Sequence, residues 1–160
     1  MHASRMSAGP VAEVSGRWRV ARAGLLTALV LAAGCTAPPQ KAARSCYHGN
    51  EKAEIEVGYC EALKDGRTLH VSGVTGRGEM ATAMRSVYER IGRILAANGF
   101  DFADVVKENV YATDLDAFIQ NKEVRKEFYK ADLPAATWVQ VQRLYVPAFV
   151  VEVEVTAEKR

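Results

Sequence analysis

No apolar run in the 160 residues reaches the roughly 18 to 20 positions needed to cross a bilayer, which excludes an integral membrane protein. Basic residues do not cluster either. After Cys35 they are interleaved with acids, as in Lys122, Glu123, Arg125, Lys126 and Glu127, whereas nucleic-acid binders carry a concentrated Lys/Arg footprint, so that class is disfavoured. Internal repeats and low-complexity blocks are absent, and cysteine is scarce at three residues. What remains is ordinary: 49% hydrophobic and 25% charged residues place the chain near the averages of globular proteins, with one domain as the default.

Charge is distributed unevenly. Arg5, Arg17, Arg19 and Arg22 against Glu13 give +3 to the first 34 residues, which leaves −1 of the +2 total for the remainder. Arg17, Arg19 and Arg22 precede the apolar or small stretch from Ala23 to Gly34, the order of an n-region and an h-region in a secretory signal. The stretch closes with Leu31, Ala32, Ala33, Gly34 and Cys35, which resembles the bacterial lipobox. Residues 1–34 are therefore read as a lipoprotein-type signal peptide, and Cys35 as the site of lipidation. Residues 35–52, with Ala37, Pro38, Pro39, Gln40 and Lys41, read as a flexible tether, and 53–160 as the folded domain. The expected location is the bacterial cell envelope, lipid-anchored and facing the periplasm. With Cys35 consumed, Cys46 and Cys60 form a candidate disulfide in an oxidising compartment, contributing on the order of 3 kcal/mol in the chain-entropy description; two unpaired thiols are the alternative. Cys46, His48, Cys60 and His70 lack the tight pair spacing of a zinc site, so no metal and no cofactor is expected.

Along the domain, Ile55 to Lys64 alternates, Asp65 and Gly66 form a turn, and Thr68 to Val74 alternates again, predicting a β-hairpin. Thr75 to Gly78 reads as a short loop. Met80, Met84, Val87, Ile91, Ile94 and Leu95 then recur at three and four residues, an amphipathic helix stopped by Asn98 and Gly99. A strand is expected over Asp104 to Thr113, with Val106, Val110 and Ala112 on one face, and a second helix over Leu115 to Lys130. Two final strands, Thr137 to Leu144 and Ala148 to Ala157, are joined by a tight turn at Pro147. The order β β α β α β β predicts an α+β fold: a two-layer sandwich in which two helices cover one face of the sheet. The other face is expected to carry Val, Tyr and Trp and to meet other subunits.

A family resemblance joins these pieces. Gly58, Tyr59, Cys60, Glu61 and Ala62; Val71, Ser72 and Gly73; Val105, Val106 and Lys107; Asp114 to Phe118 with Asn121; Pro134 and Ala135; Val139, Gln140 and Val141; and the closing Val150 to Glu154 together resemble the Rid (YjgF-like) family of reactive-intermediate deaminases. The resemblance covers the chain from about Ile55 to its end. It implies a chorismate-mutase-like fold with a mixed sheet, assembled as a homotrimer with small-molecule clefts between subunits. Tyr59 and Glu152 match cleft positions, the glutamate as general base, although Glu152 is equally an outward residue on an alternating strand. Ser72 and Gly73 belong to the same cleft, and Asn121 matches a family position or is simply an exposed helix residue.

Two departures bear on function. Members that hydrolyse enamines and imines carry an Arg directly after the Pro-Ala pair, where it clamps the substrate carboxylate; here that position is Ala136. A methyl group cannot replace a bidentate guanidinium, so the usual deaminase activity is expected to be lost or redirected. Trp138 shares the face of Ala136 and either fills the vacated space or anchors a subunit interface. The segment after Gly73 is also short, which brings Arg77 toward the cleft, either as a grip on an anion or as a solvated loop residue. The expected function is a homotrimer that binds a small organic metabolite, with an altered imine/enamine deaminase and an envelope scaffold as alternatives. Its partners are then its own copies, the ligand and a membrane through the lipid alone, with no nucleic acid.

Overall fold

The computed structural model describes residues 43–160; the signal segment, Cys35 and the tether up to residue 42 lie outside the described residues. The chain forms β1 (Arg44–Tyr47), α1 (Glu51–Val57), β2 (Ala62–Asp65), β3 (Thr68–Arg77), α2 (Met80–Ala97), a 3₁₀ turn (Phe102–Asp104), β4 (Val105–Ala112), α3 (Leu115–Gln120), α4 (Lys122–Tyr129), β5 (Ala135–Gln140) and β6 (Phe149–Glu158). The fold is the expected α+β arrangement. Six strands make one mixed sheet in the order β1-β2-β3-β6-β4-β5. Only β4 and β5 run parallel, and α3 and α4 supply the crossover that parallel neighbours require.

Alternation in β6 sets the two faces. Val151, Val153, Val155 and Ala157 are buried, whereas Glu152, Glu154 and Thr156 point to the opposite side. Against the buried face lies α2, whose Met84, Val87, Tyr88, Ile91, Ile94 and Leu95 form the stripe seen in the sequence. Each fully buried side chain of this size contributes about 1.5–3 kcal/mol. The Glu79 carboxylate accepts from the amides of Ala81 and Thr82 and so caps the start of α2. The close approach depends on Gly76: a Cβ there would sit 2.7 Å from the backbone oxygen of Ala83.

Several elements differ from the sequence expectation. The hairpin across Asp65 and Gly66 is present, with Ala62–Asp65 paired to β3, but its first arm is shorter than expected because Glu51–Val57 is helical. Asn50 accepts from the Ala53 amide at one end and Gly58 takes φ +93° at the other, so capping overrides the alternation of Ile55 and Val57. The stretch expected as tether contains β1, which pairs with β2 in the register Cys46↔Leu63. The loop expected over Thr75 to Gly78 is mostly the end of β3, with Gly76 opposite Val151 and Arg77 opposite Phe149. In β4 a register shift between Val105 and Lys107 turns Val106 outward and Val105 inward. The second helix breaks at Asn121 into α3 and α4. In place of a tight turn at Pro147, residues 141–148 form a longer connection.

The uncovered sheet face is mostly polar, although Val106, Tyr111 and Val139 also lie on it. His70, Thr75, Lys107, Asn109, Tyr111, Glu152, Glu154 and Thr156 occupy it, while Trp138 lies on the helix side. Other exposed apolar groups are Leu133, Tyr145 and Val146, which flank β5 in the chain, and Ile55, Val57 and Tyr59 in and after α1.

Candidate functional site

The site begins at an irregularity in β3. Between Val71 and Val74 the pairing with β6 shifts register, and Ser72 and Gly73 form the bulge. The Ser72 hydroxyl donates to the carbonyl of Cys60 at 2.7 Å, and its amide donates to the carbonyl of Glu61 at 2.9 Å. These two bonds fix the strand to the segment that carries Tyr59. Gly73 leaves room for a carboxylate, because a Cβ there would lie 1.8 Å from Glu152 Oε1. Any side chain at residue 73 would displace Glu152.

Glu152 is half-buried, opposite Thr75 and Tyr111 on the neighbouring strands. Burial raises its pKa above the usual carboxylate range, and the negative charge of Glu154 raises it further. Glu154 is itself bound by Asn109 Nδ2 at 2.6 Å and by the Tyr111 hydroxyl at 3.3 Å. It borders a concavity of about 160 Å³ lined with His70, Lys107 and Thr156. Two carboxylates in unlike surroundings are thus set side by side, one tied down by donors and one predisposed to hold a proton.

Tyr59 is exposed at the end of α1. Partial burial and the charge of Glu54 raise its pKa, so its phenol stays protonated and able to donate. Beside it, Cys46 and Cys60 are joined in a disulfide with Cα atoms 5.6 Å apart. One atom each from Cys46, His48 and Cys60 lies within 4.8 Å of the others, a convergence that sequence spacing concealed because α1 intervenes. His70 is elsewhere, on the open face beside Thr156.

At the opposite edge, Ala136 stands in register with Glu108, and Trp138 with Val110. Trp138 does not face a cleft within the subunit. Its ring packs edge-on against Phe118 with centroids 5.1 Å apart, and its Nε1 donates to Glu108 Oε1 at 3.3 Å. Glu108 is fully buried on the core side of β4 and takes the Arg125 guanidinium at 2.7 Å and the Tyr88 hydroxyl at 3.3 Å. The guanidinium lies 4.6 Å from the centre of the Tyr129 ring. This cluster was missed in the sequence, where only the parity of residue 108 with Val110 and Ala112 hinted at burial. The Asn121 side chain donates to the carbonyl of Ala117 at 2.9 Å and serves the joint between α3 and α4. Arg77 is exposed and forms no ion pair with another described residue.

The structure therefore brings together the segment of Tyr59, Ser72, Gly73 and Glu152. Ala136 and Trp138 are separated from Glu152 by β4 and by the sheet itself. The model of the family described as Endoribonuclease L-PSP matches residues 50–159. A RutC family protein of Sulfurisphaera tokodaii is 34% identical over 119 residues, covering 68% of this chain and 94% of that protein. The human 2-iminobutanoate/2-iminopropanoate deaminase is 32% identical over 103 residues, covering 58% of this chain and 75% of the enzyme. A crystal structure of a YjgF/YER057c/UK114 family member from Mycobacterium tuberculosis superposes with a TM-score of 0.69 at 30% identity, covering 73% of this chain and all of that one. With the sheet order, the bulge and the strand-borne glutamate in place, the chain belongs to the Endoribonuclease L-PSP family, the Rid or YjgF-like proteins.

Proposed function

We propose that the chain acts as a Rid-type homotrimer that binds a small organic metabolite in clefts between subunits and does not perform the standard deamination of carboxylate-bearing imines. The observation that carries this reading is the alanine at 136. Opposite it stands Glu108, whose negative charge is already engaged by Arg125, so the position offers a substrate carboxylate no free cation. The intersubunit placement is supported by the separation of the Glu152 group from the β5 edge, since a second copy is needed to bring such elements together. Exposed Val139 on β5, with Tyr145 and Val146 after it in the chain, gives that edge apolar surface to cover. Lipidation of Cys35 would hold the trimer at the envelope, with the domain facing the periplasm.

A second reading is an altered deaminase acting on imines without a carboxylate. It is favoured by Glu152, a half-buried carboxylate whose pKa is raised by burial and by Glu154, the kind of group that can pass protons to and from a water. Freshly generated imines with and without a carboxylate, assayed with the wild type and Glu152→Ala, separate the two readings. The binding proposal expects no hydrolysis above buffer and a rise in melting midpoint with at least one metabolite. Hydrolysis of carboxylate-bearing imines by the wild type overturns it, and Glu152-dependent hydrolysis of uncharged imines establishes the second reading. If no metabolite shifts the midpoint while membrane pull-downs return stoichiometric proteins, the trimer is a scaffold.

A further inference from the structure

We infer that, once the Cys46–Cys60 disulfide is reduced, Cys46, Cys60 and His48 form a zinc site with an open fourth position, so that the end of the fold carrying Tyr59 exchanges a covalent bridge for a metal according to redox conditions. The site borders the proposed metabolite cleft, with Tyr59 common to both, but its ligands are not cleft residues and it does not depend on that reading. The first support is convergence: a ring nitrogen of His48 lies within 4.8 Å of both sulfurs of the Cys46–Cys60 bridge. A tetrahedral ion with Zn–S bonds of about 2.3 Å and a Zn–N bond of about 2.1 Å holds its ligand atoms about 3.6–3.8 Å apart, so the freed sulfurs must rotate away from each other and the imidazole must draw in by about 1 Å. The 5.6 Å between the cysteine Cα atoms needs no movement of the strands.

The second support is how His48 is held. Its Nδ1 lies 2.7 Å from Glu54 Oε2, and that glutamate side chain is only 3% exposed. With Nδ1 engaged by the Glu54 carboxylate, Nε2 is the ring nitrogen left to take a metal. Carboxylate, histidine and metal in series is the arrangement that orients imidazole ligands and raises their basicity. An isolated core histidine needs no buried carboxylate that is also fixed by three backbone amides at 2.7, 3.0 and 3.2 Å. The third support is access. Cys46, His48 and Cys60 line one shallow concavity with Tyr59 at its rim, so solvent water can take the fourth position.

The chemistry balances in two steps. A dithiol reductant gives two electrons and two protons to the bridge, breaking the S–S bond to leave two protein thiols, and closes its own disulfide. Zn²⁺ then displaces one proton from each thiol, forming two Zn–S bonds and one Zn–N bond and releasing two protons to solvent. In the oxidised protein no thiolate is available and the site does not exist.

The test uses the full chain carrying Cys35→Ser, so that the third thiol contributes nothing, with Co²⁺ as the spectroscopic probe and Zn²⁺ as competitor. The reduced protein is expected to bind one Co²⁺ per chain with sulfur-to-cobalt charge-transfer absorption, which Zn²⁺ abolishes, while the oxidised protein shows none. Cys46→Ser and Cys60→Ser should each lose the tetrahedral spectrum. His48→Gln should weaken binding at least tenfold, and Glu54→Gln, which keeps the imidazole and alters only its support, about tenfold to a hundredfold. Circular dichroism of each variant separates lost ligation from lost folding. No charge-transfer band in the reduced chain, or a folded His48→Gln that titrates like the wild type, overturns the assignment.

Discussion

Glu108 shows how a single side chain can decide what an edge of the molecule does. It is fully buried, and the cost of desolvating its charge is met by Arg125 at 2.7 Å together with Tyr88 and Trp138. Removing the cation alone strands that charge, so Arg125→Met should lower stability by about 3–5 kcal/mol, read as a fall in the urea midpoint. Adding Glu108→Gln should recover most of the loss, because the amide oxygen still accepts from Trp138 while the buried charge is gone. Glu152 gives the opposite kind of test. Its pKa is raised in the folded state by burial and by Glu154, so folding favours its protonated form. Stability therefore falls as pH rises from the ordinary carboxylate range through the raised value, and stays reduced above it. Glu152→Gln should be more stable than the wild type at neutral pH and should match it in acid, as thermal melts at several pH values will show. The sequence pointed to Glu152 through its place in an alternating strand. Nothing in it revealed that the Glu108 carboxylate would turn inward, since a glutamate between polar neighbours reads as surface until Arg125 is known to lie above it.

Elements with a strong period were legible and those governed by capping were not. The α2 stripe and the Val/Glu alternation of β6 survive in the structure because each buries one complete face. Glu51–Val57 misleads because Ile55 and Val57 are both exposed, so their spacing reports no buried face, and the Asn50 and Gly58 caps settle its conformation. The bulge at Ser72 and Gly73 and the shift after Val105 are likewise pairing effects, invisible in one strand read alone. Packing between elements supplies a sharper test than any boundary. Gly76→Ala puts a methyl 2.7 Å from the backbone oxygen of Ala83, and neither the sheet nor the helix backbone can yield cheaply. The substitution should cost about 1–3 kcal/mol and lower the melting midpoint. Gly73→Ala should leave stability closer to wild type, because its clash is with the movable Glu152 carboxylate, and should instead abolish any ligand-induced shift that depends on Glu152.

At the scale of the molecule, the sheet has two unlike exposures: a mostly polar open face and an edge strand, β5, flanked in the chain by apolar residues. An unpaired edge is a liability unless something covers it. Val139 on it, and Tyr145 and Val146 after it in the chain, remain exposed, while the Glu152 group lies two strands away. If trimers form by setting this edge against a neighbouring subunit, as the proposed clefts require, light scattering on a chain beginning near Ala42 should give a mass three times that of one copy. Val139→Lys places a charge on the edge without touching the core, since the residue is 38% exposed. It should yield folded monomers with unchanged circular dichroism, and the loss of assembly should remove the metabolite-induced rise in melting midpoint along with it. The two readouts must move together. A monomeric variant that still responds to ligand would place the binding site within one subunit, and a wild type that is monomeric at micromolar concentration would leave the Glu152 group without the neighbouring edge on which the proposed function rests.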